Sequence, residues 1–248
     1  MIHILIAANC ASLITALPIS FEAEQKKYER VRQAYQNTEK MVSKTLESNR
    51  ISKDNFHITI MAFKEEQRLE IWAGNPDEKM KKIKDYEICA SSGKPGPKRK
   101  EGDWQVPEGF YHVERFNPVS SYHLALGINY PNASDKILAK SKKLGGQIMI
   151  HGACITIGCL PMTNEGIEEI YLYAVKARNS GQYRIPVYIF PAEPGKSEYK
   201  KLIEKNQSSH VAFWENLVDG YNVYKNTGRP LSFSVSPDGK YDFTKKTK

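Results

Sequence analysis

In the stretch IMIHGACITIGCLPMTNEGIEEIY, residues 148–171, one histidine and two cysteines fall within nine positions. Three chemistries use such a set: a metal site, a disulfide, or a nucleophile with its base. Structural zinc takes four Cys or His ligands, often in closely spaced pairs. Here four residues separate Cys154 from Cys159 and no second pair appears, while His57, His112, His123 and His210 are scattered through strand-like and helix-like runs. No metal is expected. A Cys154–Cys159 disulfide would suit an oxidising compartment, but it gives His151 and Gly158 no role.

A nucleophile accounts for more of the stretch. Cysteine attacks as thiolate, and a nearby imidazole can take its proton. Gly158, lacking a Cβ, would let a substrate carbonyl approach backbone N–H groups. Cys154 has no adjacent glycine, so Cys159 is the preferred nucleophile. Cys89, inside YEICAS, reads as a packed and inert mid-strand thiol. Cys10 lies in a leader-like segment, and the three remaining cysteines leave at least one thiol free.

These residues need a scaffold, and the pattern supplies one. Residues 22–48 read as an amphipathic helix, with Tyr28, Val31, Tyr35, Thr38, Val42 and Thr45 on one face. FHITIMAF and RLEIWA alternate as two half-buried strands of a hairpin. YEICAS, EGFYHVERF, YHLALGI, GGQIMI and RIPVYIF read as further strands, GGQIMI stopping at His151. SGKPGPKRKEGD is a loop. After the cysteines Thr163 or Asn164 can cap a helix whose buried stripe is Ile167, Ile170, Tyr171, Ala174 and Val175, and Glu165, Glu168 and Glu169 suit its positive end. Residues 193–248, with EYKKLIEKN and HVAFWENLVDGYNVY, read as a helical extension beyond the core. The expected fold is mainly β (α+β), with the catalytic domain at 50–192 between flanking helices. No alternating strand–helix units, G-x-G-x-x-G or Walker-type loop supports nucleotide chemistry.

The chain has 248 residues, 40% hydrophobic and 26% charged, with a formal net charge of +8. That excess suits an anionic partner or simply a lysine-solvated surface. Neither an arginine-rich helix nor an RNP-like aromatic motif supports nucleic-acid binding. Residues 1–20 read as a signal peptide or anchor, although no basic residue precedes the apolar run.

IHG followed by TIGC and a helix resembles the YkuD-like L,D-transpeptidase catalytic domain, the cysteine enzymes that remodel peptidoglycan. The short spacing and the following MT resemble its YafK-type branch. SGKPGPKRKEGDWQVPEGFYHV and SSYHLALGINYPN resemble the family's segments lining the approach to the cysteine, so the likeness spans about residues 55–192. It implies a β-rich fold and a two-step acyl transfer on peptidoglycan stem peptides, in the periplasm or cell envelope, with no metal or organic cofactor. Cys159 would attack the carbonyl of an L-configured centre and His151 would serve as base and then acid. The Gly152 carbonyl would orient the imidazole, and N–H groups of Gly158 and Cys159 would form the oxyanion hole. Thr156 fills the family's Ser/Thr position and, with Tyr122 and His123, is a substrate-binding candidate. Arg99, Asp103, Trp104 and Glu108 are lesser candidates. Some members of the branch instead hydrolyse the bond to a peptidoglycan-linked lipoprotein. A wall-binding module whose chemistry has lapsed is the competing expectation.

Overall fold

The computed structural model describes residues 19–205 and 210–243; the leader-like segment with Cys10, apart from residues 19–20, and the tail KKTK lie outside them. The chain order is α1 (Phe21–Gln25), α2 (Glu29–Ser48), β1 (His57–Phe63), β2 (Arg68–Gly74), β3 (Lys81–Glu87), β4 (Gly109–Asn117), β5 (Ala125–Ile128) and α3 (Ala133–Leu138). Then come β6 (Met149–His151), β7 (Leu160–Pro161), α4 (Asn164–Asn179), β8 (Pro186–Phe190), α5 (Ser197–Lys205), α6 (Val211–Thr227), β9 (Ser234–Val235) and β10 (Tyr241–Asp242). No described helix is long and apolar enough to cross a membrane.

Eight strands form one sheet in the order β3-β2-β1-β8-β4-β5-β6-β7. β1–β8 and β6–β7 are parallel and the other pairs antiparallel. β4 pairs with β8 through its first half and with β5 through its second, and the register shifts between Val113 and Arg115. Such a bulge bends a strand, and it carries the sheet from its long-stranded half into the short-stranded half that holds His151. Beyond β3 the chain crosses the open side: Ile88 N donates to Gln67 O and Cys89 N to Pro161 O. Residues 88–89 therefore link the two ends of the curled sheet and cover the outer edge of β7.

Both faces of the central strands are buried. On β1, Ile58, Ile60 and Ala62 join the core beneath α4, whereas Met61 and Phe63 join a second core with Trp214, Leu217 and Tyr224 of α6. β8 divides likewise, Val187 and Ile189 against Tyr188 and Phe190. The half-buried hairpin expected from alternation is thus corrected for β1. Its polar-looking face is covered by α6, which belongs to the core and is no decoration.

Thr163 caps α4 by accepting from Gly166 N at 3.0 Å. Its stripe Ile167, Ile170, Tyr171, Ala174 and Val175 is 0–1% exposed, worth about 2 kcal/mol per large apolar side chain removed from water. Glu165 lies in the first turn, but Glu168 and Glu169 are buried and bonded to His123 and Tyr86. The N-terminal helix breaks in two. Arg32 donates to the carbonyls of Lys26 and Lys27 at the break, at 3.1 and 2.8 Å. The buried face of α2 is Val31, Ala34, Tyr35, Thr38, Val42 and Leu46, while Tyr28 is exposed.

Candidate active site

β6 ends at His151, and its parallel pairing with β7 sets Ile150 beside Leu160 and His151 beside Pro161. Cys159, the residue before β7, therefore stands next to the start of β6. Its sulfur lies 3.8 Å from the Gln147 carbonyl oxygen. Cys159 is a free thiol. Cys154 is not: it forms a disulfide with Cys89, Cα to Cα 5.3 Å. Two expectations are corrected here. Cys89 lies past the end of β3, in the segment whose bond to Pro161 O brings it against the 152–158 loop, so it is neither mid-strand nor unreacted. The same bond consumes Cys154, which cannot bridge to Cys159.

His151 is 3% exposed, and its Nδ1 lies 2.6 Å from the carbonyl oxygen of Gly152. A carbonyl only accepts, so Nδ1 carries the proton and Nε2 presents a lone pair. Burial holds the imidazole below its ordinary value, against the pull of the Gly152 carbonyl. Burial likewise pushes the Cys159 thiol above its ordinary value, against the main chain of Met149 and the charge of Lys98. Both shifts favour the neutral partners. The Cys159 sulfur makes its hydrogen bond to the Gln147 carbonyl, a contact that suits a thiol donor.

Thr156 serves the turn around Cys159. Its hydroxyl accepts from Gly158 N at 3.1 Å and Cys159 N at 2.8 Å, and donates to Cys159 O at 2.9 Å. The two N–H groups expected to form an oxyanion hole are thus held by Thr156 in this structure. Gly158 has φ +132°, and a Cβ there would stand 3.0 Å from Gln105 O. The group that approaches closely is the chain's own backbone. At Gly152 a Cβ would meet Asn164 Oδ1 at 2.6 Å; this oxygen instead accepts from Ala153 N. Asn164, read in the sequence as an alternative helix cap, instead anchors the loop after the histidine.

Tyr122 is half-exposed, and its ring lies 4.8 Å from the His151 ring. His123 is paired with Glu168 at 2.7 Å. Among the lesser candidates, Asp103 shapes its loop by accepting from Lys98 Nζ and from the N–H groups of Arg99, Lys100 and Gln105. Burial alone would raise its carboxyl, but these donors hold it below the ordinary value. Arg99 is bonded to Asp135, and Glu108 is fully buried between Lys64 and Trp214. Trp104 is 61% exposed beside Gly158. A cleft lined by Lys64, Ile88, Ser92, Val106 and Leu160 opens onto Cys159. Among the described residues no cluster of three or more His, Cys, Asp or Glu side chains could hold a metal ion.

The YkuD family model, an L,D-transpeptidase catalytic domain, matches residues 57–215. The chain belongs to this family, and so to the peptidoglycan-related, L,D-transpeptidase-like enzymes. It is 37% identical over 190 residues to the Escherichia coli K12 protein named "Putative L,D-transpeptidase YafK", covering 76% of this chain and 74% of that one. Among solved structures it is similar to the helical cell shape determining protein Pgp2 from Campylobacter jejuni, with TM-score 0.45 and 21% identity over 73% of this chain and 74% of that one. Another Pgp2 structure is matched over 57% of its chain. Bdellovibrio bacteriovorus Bd1075 aligns with TM-score 0.39 and 26% identity over 64% of this chain and 56% of its own.

Proposed function

We propose that the chain catalyses cysteine acyl transfer on diaminopimelate-containing peptidoglycan stem peptides. The observation that carries this reading is the placement of the free thiol Cys159, at the start of β7, and of the histidine on the adjoining strand β6, with the Nε2 lone pair left available and Cys154 locked in a disulfide. The thiol proton passes to Nε2 as sulfur bonds to the carbonyl of the third residue. The bond to the terminal D-alanine then breaks, His151 returns the proton to the leaving amine, and a thioester remains. An amine from a second stem, or water, takes the acyl group. For this step the sulfur must leave the Gln147 carbonyl for Nε2 when substrate binds, since catalytic hydrogen bonds often form fully only in the occupied enzyme. The developing oxyanion would be met at the Gly158–Cys159 turn, where the Thr156 hydroxyl must yield an N–H. The scissile peptide would lie in the cleft that opens onto Cys159.

An envelope or periplasmic location follows from this substrate, and a disulfide suits the same compartment. Detachment of a wall-linked lipoprotein by hydrolysis would use the same thioester.

Purified muropeptides with a tetrapeptide stem, followed by mass spectrometry, test the proposal. A dimer marks transfer and a tripeptide marks hydrolysis. Cys159→Ala abolishes both, whereas Cys154→Ala retains the nucleophile. Activity surviving Cys159→Ala overturns the assignment. An inactive parent whose Cys159 alkylates no faster than an ordinary buried thiol points to the lapsed, wall-binding alternative.

A further inference from the structure

Seven described non-glycine residues adopt positive φ, and four of them, Trp104, His123, Gln147 and Ala153, lie in segments around the site. Such conformations persist where the surroundings over-determine them, and they gather at functional sites. The case of His123, at φ +67° in the turn between β4 and β5, leads away from the cleft. Its ring is held by Glu168 Oε1 at 2.7 Å. Its carbonyl accepts from the Arg30 guanidinium at 2.8 Å, and the carbonyl of Ser120 accepts from the same group. Asn37 donates to the other Glu168 oxygen at 2.8 Å. Arg30 and Asn37 belong to α2, which precedes the sheet in the chain, and Glu168 belongs to α4.

This restraint sets the neighbour of His123. Tyr122 places its ring 4.8 Å from that of His151, tilted by 32°. Its carbonyl accepts from Gly152 N at 3.0 Å, and the Gly152 carbonyl is the partner of His151 Nδ1. A single hydrogen bond leaves an imidazole free to swing about its own bonds; a ring against its face removes that freedom. We propose that Arg30, Asn37 and Glu168 are positioning residues for His151, acting through the strained 118–124 turn and the Tyr122 ring. None touches the Cys159 cleft. A purely stabilising role would need neither the left-handed His123 nor a half-exposed tyrosine over the imidazole.

The proposal rests on the acyl-transfer reading for its effect on turnover, but not for its first test. The Hε1 resonance of His151, assigned by its loss in His151→Gln, reports the ring's surroundings with no substrate present. Arg30→Ala and Glu168→Ala should move that resonance in the direction produced by Tyr122→Ala. Tyr122→Phe, which keeps the ring, should match the parent, and Glu168→Gln, which keeps an oxygen for His123 but removes the acceptor of Asn37, should move the resonance less than Glu168→Ala. On tetrapeptide muropeptide, Arg30→Ala and Glu168→Ala should lower kcat at least about tenfold with little change in KM, the loss expected of a misplaced catalytic group. Arg30 is solvent-exposed, so its variant keeps the test open should Glu168→Ala fail to fold. A folded Arg30→Ala protein with an unshifted His151 resonance overturns the proposal. Absence of turnover in the parent would sink the acyl-transfer reading alone and leave the resonance result to decide this one.

Discussion

At the scale of single residues, burial favours the uncharged forms of both His151 and Cys159, and the proposed chemistry starts from them. Nε2 can take a proton only while the imidazole is uncharged, and burial holds its titration below the ordinary 6.5. Protonation, and with it the acid limb of kcat/KM, is therefore expected below pH 6.5, and a rate profile with that limb above 6.5 would overturn the argument from burial. Thr156 offers a second test. Thr156→Val strips the acceptor from Gly158 N and the 2.8 Å partner from Cys159 N, costing about 1–3 kcal/mol and most of the activity; Thr156→Ser restores both, as thermal unfolding and turnover will show. The histidine, glycine and cysteine proposed for the site could be singled out in the sequence because one short stretch carries them. The hold of Thr156 on the turn was not, since a motif names the residue without saying where its hydroxyl points. Nor was the Cys89–Cys154 bond, because 65 positions of sequence separate its ends.

At the scale of elements, local signals served best. The α4 cap and stripe follow from residues three and four apart, and Thr163→Ala should cost about 1 kcal/mol in thermal unfolding. The α3 helix went unread although Asn132 and Asp135 form a reciprocal capping box at its start, a spacing visible in the sequence. Misreading α6 has another cause. Its apolar residues resemble those of any amphipathic helix, and only the fold shows that they cover the second face of β1 and β8. Trp214 is fully buried and donates to Glu108 Oε2 at 2.7 Å. Trp214→Phe keeps an aromatic ring but leaves that carboxylate oxygen without its donor, at about 1–3 kcal/mol, and unchanged stability would show α6 to be peripheral after all.

At the scale of the whole molecule, the curled sheet and the disulfide act as one closure. Residues 88–89 join the turn before β2 to β7, and Cys89 ties that seam to the loop between His151 and Cys159. Chain-entropy arguments give a cross-link of this span about 4 kcal/mol. Cys154 is exposed, so dithiothreitol should reach the bond and lower the melting temperature; an unchanged melt would mean that packing alone closes the seam. The same cross-link bears on what a protease can do. Lys142 lies on an exposed stretch between the bridged cysteines, so trypsin cutting there severs the main chain without parting its pieces. On a non-reducing gel the nicked protein keeps its full mass, and reductant splits it in two. His151 and Cys159 stay together on the downstream fragment, still clasped to the half that carries α2.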